Sequence, residues 1–504
     1  MNKYEHLLMI RMSGTISTKA EQTRQQFTAQ IVRNIKDALK SANIPFLIQR
    51  TRIRLYVETP DLAAIPVLSR VFGIQAIARV QRRPFETLED VVAAGFELYK
   101  DAVVGRTFGI SPKRSGDRNK INFNSGKVSV ALGQALKPLS AGVDLTHPDV
   151  WLHVELHPGR AFFYTDEVAG PAGLPLGVEG RALSLISGGF DSPVASWMML
   201  NRGINLDYVF FNLGGTAHRR DVLQVLDVLA GRWSAGGRPR LYEVDLRPMI
   251  EHFRQCVPER FWQVILKRLM MRGATRIADK MGHLALVTGE AVGQVSSQTL
   301  HNLVTIDRAT EALIMRPLIA SHKDDIVEFS KRVGTHDISA GAQEYCALTP
   351  NKPATRMTPA QAVEAEADID FTLLDAAVDA AIIYNLRDLD PEKLDLDTPS
   401  LDHIPEGAAL VDLRDQRAFA NWHWPGAAHM DYFDALKNWR ELDKKRTWVL
   451  VCEVGLKSAG LAEAMRRAGY DAYSFKGGAP RLIKRAAELT DPLLADLFSP
   501  VALD

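Results

Sequence analysis

Cysteine is scarce in this chain of 504 residues: Cys256, Cys346 and Cys452 are the only three, and no two form a C-x-x-C pair. A disulfide framework and a four-cysteine zinc site are thereby excluded, and in a reducing compartment each cysteine is either buried or chemical. Long apolar runs are missing too. The first, Leu7 to Ile10, is too short for the core of a signal peptide, and none that follows is long enough to cross a bilayer. The expectation is a cytoplasmic protein with no membrane partner. A large net charge is also lacking, +1 overall, yet the balance is uneven. Residues 1–180 hold 23 Lys and Arg against 17 Asp and Glu, whereas residues 351–504 hold 18 against 26. The basic front favours a polyanionic partner. At ordinary domain sizes the length implies about three or four units.

What the chain does have is one sharply punctuated stretch, Leu183-Ser184-Leu185-Ile186-Ser187-Gly188-Gly189-Phe190-Asp191-Ser192. An apolar run stops at a Gly-Gly turn, and Val194 to Leu200 continues with helical period, giving strand, tight turn and helix. Glycines let backbone N–H groups converge on an anion, Ser187 and Ser192 add hydroxyls, and the helix N-terminus adds partial positive charge. The same composition also fits an ordinary strand-to-helix turn. No G-x-x-x-x-G-K-[ST] pattern accompanies it, so a Walker-type loop is excluded. Ser187 to Ser192 resembles the PP-loop of ATP pyrophosphatases, S-G-G-x-D-S. That resemblance implies activation of a carbonyl oxygen by adenylation, with release of pyrophosphate.

Upstream, Leu7 to Met12 reads as a strand, Thr18 to Ala42 as an amphipathic helix, Phe46 to Glu58 as a strand or hairpin, Asp61 to Phe72 as a helix and Ile74 to Val80 as a strand. The order predicts a ferredoxin-like α+β unit over 1–75. Arg50, Arg52 and Arg54 fall on one side of a strand by the period-2 rule, as a phosphate contact or as a solvated face. Thr87 to Val103 and Ser125 to Leu136 read as helices, and Val150 to Leu156 as a strand. Lys113, Arg114, Arg118, Lys120 and Lys127 lie close together, either as a solvated basic loop or as a contact to an RNA backbone. Residues 76–168 resemble a THUMP domain, which implies tRNA as a partner, held by shape and phosphate contacts. A Gly/Pro linker over 169–180 follows.

Residues 181–360 alternate strands with helices. Asp207 to Asn212, Leu241 to Val244 and His283 to Glu290 join the PP-loop strand in a parallel α/β sheet, with ligands expected outside its carboxyl edge. The last of these strands stops at Gly289 and opens into small polar residues as far as Gln298. In the resembled family the equivalents of Leu185, Ile186, Phe210, Phe211, Lys267, Gly289 and Gln298 surround ATP, joined by the loop residues Ser187, Gly188, Gly189, Asp191 and Ser192. Lys267 and Lys323 offset phosphate charge in this reading; each also reads as a plain surface lysine.

Acids dominate from 361 to 400, which reads as an acidic connector with short helix or strand pieces. Residues 401–504 begin with the strand Ala409 to Arg414 and His423-Trp424-Pro425-Gly426. The strand Trp448 to Val451, the loop Cys452 to Ser458, an Ala-rich helix and Phe475-Lys476-Gly477-Gly478 complete the series. A cysteine between a strand end and a helix N-terminus has its thiolate, or a persulfide anion, stabilised by loop N–H groups and the helix dipole. Lys457 adds a cation. These features in order resemble a rhodanese-like α/β domain. Cys256 reads as structural, and so does Cys346 taken alone.

The ordered set, a multidomain α/β and α+β chain of ferredoxin-like unit, THUMP, PP-loop and rhodanese domains, resembles the bacterial tRNA sulfurtransferase family. That family makes 4-thiouridine at tRNA position 8 and passes sulfur to the C-terminal thiocarboxylate of a small carrier protein in thiazole synthesis. The resemblance implies ATP and Mg²⁺ as cofactors. As partners it implies tRNA, a cysteine desulfurase, the small sulfur-carrier protein and a thiol reductant. It makes Cys452 the persulfide carrier, Asp191 a residue of the adenylation loop, and Cys346 the cysteine that resolves the persulfide through a Cys346–Cys452 disulfide. Two rival readings are a PP-loop ligase using an amine nucleophile and a sulfur-relay or RNA-binding scaffold. The intact PP-loop and the Cys452 loop stand against the scaffold.

Overall fold

The computed structural model describes residues 4–51, 54–115, 120–341, 352–389, 399–453 and 455–490. They form two compact units: residues 1–180 with 199–205 and 232–237, and the rest of the chain from 181 onward.

In the first unit, one antiparallel sheet is built on β1 (His6–Met12). Helix α1 (Glu21–Ser41) covers it, followed by β2 (Leu47–Arg50), β3 (Arg54–Thr59) and β4 (Ile74–Arg79). Strand β1 buries both faces: Leu8 and Ile10 pack with Phe27, Ile31 and Ile35 of α1, while Leu7 and Met9 pack with Phe162 and Tyr164. A second sheet comprises β5 (Gln81–Pro84), β6 (Thr107–Arg114), β7 (Gly142–Val143), β8 (Val150–His157) and β9 (Arg160–Tyr164), in the order β5-β9-β8-β6-β7. Helices α2 (Leu88–Tyr99) and α3 (Ser125–Leu136) pack on it. Thr87 and Asp90 close a capping box at the start of α2, and the Asn124 side chain caps α3, so both starts are fixed locally.

Three readings of this region are corrected. The stretch Asp61 to Phe72 supplies only a short helix, Ala64–Leu68, with Pro66 inside it. Arg50 and Arg54 lie on different strands, because the chain reverses between β2 and β3; Arg50 is exposed, whereas Arg54 donates to Glu155 at 3.1 Å. Arg52 lies outside the described residues, as does Arg118 of the basic cluster; Arg114 is engaged by the Phe123 carbonyl, and Lys113, Lys120 and Lys127 are exposed. Within the expected linker, β10 (Val168–Ala169) pairs with β4 and extends the first sheet.

The second unit holds the nucleotide-type sheet. Its elements are β11 (Arg181–Leu185), α4 (Asp191–Asn201), β12 (Asn205–Asn212), α5 (Gly215–Trp233), β13 (Arg240–Asp245), α6 (Arg247–Cys256), α7 (Trp262–Met281), β14 (Ala285–Val287), α8 (Leu300–Asp307), β15 (Leu313–Met315) and α9 (Lys323–Val333). With a last strand, β16 (Ile382–Asn385), the strand order is β15-β14-β11-β12-β13-β16, with β14–β11, β14–β15 and β12–β13 parallel. Strand β12 is buried from Leu206 to Asn212, as expected of a strand covered on both faces. The acidic stretch holds the short pieces expected of it, α10 (Pro359–Ala365), α11 (Phe371–Asp379) and β16, but they do not stand apart as a connector. Ala362, Ile369, Leu374 and Val378 enter the nucleotide domain's core, and β16 closes the sheet antiparallel to β13.

A smaller parallel sheet follows: β17 (Ser400–Leu401), β18 (Ala409–Asp412), β19 (Ala428–His429), β20 (Thr447–Val451) and β21 (Asp471–Phe475), ordered β17-β21-β20-β18-β19. Helices α12 (Leu456–Arg467) and α13 (Gly478–Thr490) complete this domain. Among the described residues no helix is long and apolar enough to cross a membrane.

Candidate functional site

The large sheet reverses direction at β11: the chain adds β12 and β13 on one side, then returns to place β14 and β15 on the other. Crevices outside the carboxyl ends of such strands are where ligands bind in open α/β sheets. The loops that leave β11 and β14 flank that crevice, and they are the two punctuated stretches of the sequence, Ile186 to Phe190 and Thr288 to Gln298.

Hydrogen bonds fix the first loop. Ile186 N–H donates to the Val209 carbonyl at 3.0 Å, Ser187 N–H to Ser192 Oγ at 2.9 Å, and Ser339 Oγ to the Gly189 carbonyl at 3.2 Å. Helix α4 then starts at Asp191, with Pro193 in the first turn, where its missing N–H costs nothing. Asp191 is held by Lys323, whose Nζ lies 2.8 and 3.0 Å from its two oxygens, and by Gln294 Nε2 at 2.9 Å. Lys323 Nζ also lies over the Phe190 ring, 5.7 Å from its centre.

Gly289 presses on this turn from β14. A Cβ there would sit 2.7 Å from Ser192 N and 2.8 Å from Asp191 C, so the loops meet backbone to backbone. Next to it Glu290 is buried and accepts from Lys267 at 2.8 Å and Arg316 at 2.9 Å. Burial works to raise its pKa, but the two cations outweigh that and hold it at about 2. Gln298 accepts from Ala291 N–H at 3.3 Å, which folds the second loop back on itself.

The structure thus brings Ser187, Gly188, Gly189, Asp191, Ser192, Gly289 and Lys323 together. Leu185 and Ile186 end the strand beneath them. Phe210 and Phe211 are core residues: Phe210 meets His218 edge-on at 4.5 Å, and Phe211 packs on Gly273. Lys267 is tied to Glu290 rather than to the PP-loop. Sequence reasoning missed Gln294, Glu290 and Ser339. An acid directly after a strand-ending glycine was the available signal for Glu290; Ser339 carried none.

The second centre lies at the end of β20. Cys452 is 1% exposed, and its Sγ accepts from Gly455 N–H at 3.2 Å and Ser458 N–H at 3.5 Å, with Ser458 Oγ at 3.3 Å. Gly455 holds φ +95°, and a Cβ there would meet the amides of Gly477 and Gly478 at 3.2 Å. Ser458 Oγ is in turn held 2.7 Å from Ser474 Oγ. The sulfur therefore sits in a cradle of N–H groups at a helix start, suited to an anion. Lys457 turns away from it, lying 3.7 Å from Glu453 and over the Tyr432 ring. Cys256 is half-buried and lies 3.5 Å from His252 Nε2, which already accepts from Asp370 N–H. Cys346 lies outside the described residues.

Known proteins match this architecture domain by domain. Residues 7–78 match the ThiI ferredoxin-like domain, 85–166 the THUMP domain, 177–371 Thiamine biosynthesis protein (ThiI), and 398–483 the rhodanese-like domain. A crystal structure of a 4-thiouridine synthetase–RNA complex with bound ATP superposes with a TM-score of 0.65 at 29% identity, covering 75% of this chain and 99% of that one. The tRNA sulfurtransferase of Desulfurococcus amylolyticus is 34% identical over 94% of this chain and 97% of its own length. That of Pyrobaculum aerophilum is 35% identical over 93% of this chain and 96% of its own length. With a PP-loop at the switch crevice, an amide-cradled cysteine, and identity of this extent over nearly the whole length, the chain belongs to the tRNA sulfurtransferase family.

Proposed function

We propose that this protein transfers persulfide sulfur from Cys452 to uridine 8 of tRNA, in an ATP-dependent reaction that yields 4-thiouridine. The observation that carries the reading is the presence, in one compact unit, of a PP-loop and a cysteine sulfur already accepting two main-chain N–H groups. The relatives' name, and the RNA and ATP of the superposed crystal structure, supply the substrates.

ATP is assigned to the crevice because Gly188 and Gly189 carry no side chain and the loop runs into the start of α4, where main-chain N–H groups converge on an anion. Among the described residues no cluster of three or more His, Cys, Asp or Glu could hold a metal. Mg²⁺ would take Asp191 as its protein ligand, nucleotide phosphates supplying the rest, and would offset phosphate charge. In the first unit a cleft of about 460 Å³ is lined by Arg79, Arg82 and Arg83 beside His6, a cationic surface for tRNA phosphates.

A cysteine desulfurase delivers sulfur to Cys452 Sγ, and the Gly455 and Ser458 N–H groups hold the persulfide anion. The uridine C4 oxygen attacks the α-phosphorus of ATP and pyrophosphate leaves. The outer persulfide sulfur then attacks C4, and AMP departs with the oxygen. Cys346 attacks Cys452 Sγ, breaking the S–S bond; 4-thiouridine is released, and an external dithiol reduces the Cys346–Cys452 disulfide. The small carrier protein of thiazole synthesis is a second sulfur acceptor in this reading, in line with the Thiamine biosynthesis protein match.

The test is nucleoside mass spectrometry of unmodified tRNA incubated with the protein, ATP, Mg²⁺, cysteine and a cysteine desulfurase. The expected product is 4-thiouridine that requires ATP and Cys452, with repeated turnover requiring Cys346. A Cys452 persulfide that forms while the tRNA stays unthiolated overturns the reading.

A further inference from the structure

Helix α12 carries a glycine, Gly460, in its interior, where glycine is disfavoured relative to alanine. A neighbouring domain comes close at this point: a Cβ at Gly460 would stand 3.4 Å from the Gly214 carbonyl oxygen, just past β12, in ordinary contact, so a longer side chain would push into it. One turn along α12, Glu463 reaches the same place. Its Oε2 accepts the Thr216 N–H at 2.7 Å, in the first turn of α5, and its Oε1 lies 3.5 Å from Arg247 Nη1. Gly215, at φ +70°, lies against the same carboxylate: a Cβ there would meet Glu463 Oε2 and displace it. A carboxylate from the cysteine domain thus caps a helix of the nucleotide domain, which is favourable at a helix N-terminus.

The receiving surface is built in advance. Asn212, fully buried, accepts the Gly214 and Gly215 N–H groups at 3.1 and 2.8 Å and donates to Glu243 at 2.7 Å. Glu243 is held in turn by Arg219 at 2.8 Å and Tyr384 at 2.9 Å. Arg247 is gripped by Asp245 in a two-bonded pair at 2.8 and 2.7 Å, which aims its free edge at Glu463. The seat lies at the carboxyl ends of β12 and β13, and β12 neighbours the PP-loop strand β11. From Glu463 back to Leu456 the helix runs about 10 Å, at about 1.5 Å per residue, and the Cys452 loop stands at that end.

We infer that Glu463 and Gly460 form an interdomain seat that positions the Cys452 persulfide at the nucleotide sheet's carboxyl edge for sulfur transfer. This rests on the reaction proposed above. Glu463 is a positioning residue: it touches neither Cys452 nor the PP-loop, and it acts through the direction in which it holds α12.

The test uses the full chain and the variants Glu463→Ala, Glu463→Gln and Gly460→Leu. Cys452 is loaded with a cysteine desulfurase and cysteine, its persulfide is counted by mass, and a single turnover is started with tRNA, ATP and Mg²⁺. Expected are unchanged loading and unchanged pyrophosphate release, with single-turnover 4-thiouridine formation slower by about tenfold or more in Glu463→Ala and Gly460→Leu, the weight of one charge-assisted hydrogen bond. Glu463→Gln, which keeps an acceptor for Thr216, should fall between. Hydrogen exchange at the Thr216 amide should rise in Glu463→Ala. Normal loading with transfer as fast as, or faster than, the parent overturns the positioning role alone. A parent chain that makes no 4-thiouridine overturns the tRNA reading and this role with it.

Discussion

Arg268 and Glu366 form a buried, two-pronged ion pair, with Nε to Oε1 at 2.6 Å and Nη2 to Oε2 at 2.9 Å. The two are 98 residues apart, and their side chains are 2% and 6% exposed. Arg272 adds a third bond to Glu366 at 2.9 Å. The pair ties the last helices of the nucleotide domain to the middle of α7. Removing one partner of such a pair leaves the other charge buried without compensation, which costs about 3–5 kcal/mol. Glu366→Ala should therefore lower the stability of the nucleotide domain by about that amount. Urea unfolding followed by tryptophan fluorescence checks it, the midpoint falling with little change in slope.

The same pair shows where sequence reading stops. Period and punctuation located β11, α4, β12, β13 and the Cys452 loop, because each is an apolar run ended by glycine or by a helix start. The acidic stretch from 361 misled, since Glu366 counts as a surface charge until Arg268 is placed beside it, and Ala362, Leu374 and Val378 are too sparse to announce a core. Arg50 and Arg54 were assigned to one face because the hairpin turn between them has no glycine to mark it. The seat for Glu463 was invisible for a different reason: it is a contact between domains, and only the odd glycine in α12 hinted at it.

Gly289 offers a sharp test of the crevice. Any Cβ at this position drives the Gly289 turn into the Ser192 amide and the Asp191 backbone, which have no freedom to yield. Gly289→Ala should reduce ATP-dependent thiolation by about a hundredfold or more, the scale of misplacing a reacting group by an ångström. Persulfide loading of Cys452 should not change. Pyrophosphate release and Cys452 mass, measured on one sample, separate the two.

The Cys452 cradle gives a second test, on the other half of the chemistry. Ser458 contributes an amide and a hydroxyl to the sulfur, and only the hydroxyl is lost in Ser458→Ala. A hydrogen bond to a charged acceptor is worth about 1.5–3 kcal/mol, so the persulfide fraction at limiting cysteine should fall by about ten- to a hundredfold. Pyrophosphate release in the presence of tRNA should stay at the parent level. An unchanged persulfide fraction would mean that the amides alone hold the anion.

Three carboxyl groups and a buried histidine shape the pH dependence of folding in the second unit. Burial works to raise the pKa of Asp207, but His283 at 3.0 Å, the Arg240 main-chain N–H at 2.9 Å, and the Arg240 charge hold it at about 2. Glu290 is likewise held at about 2. Their contribution to stability is complete above the unfolded values of 3.8 and 4.5 and is lost as pH falls from there through about 2. Asp221 has the opposite sign. Burial raises it to about 6, against a weaker opposing pull from Arg220, and its Oδ2 has no hydrogen-bond partner among the described residues. The folded state binds the extra proton between 3.8 and about 6, so Asp221 destabilises progressively as pH rises through that window. His218 works the other way: burial holds its pKa at about 3, so its contribution is lost as pH falls from the unfolded value of 6.5. Between about 6 and 4 the Asp221 and His218 slopes oppose each other, so stability should change little there and fall steeply below about 4. Asp221→Asn removes one of the two slopes, because a neutral amide carries no proton to lose, so the variant should lose stability as pH falls from about 6 toward 4 where the parent stays nearly level. Urea midpoints across that range for the parent and the variant decide it; equal slopes in both would mean that Asp221 does not titrate in that window.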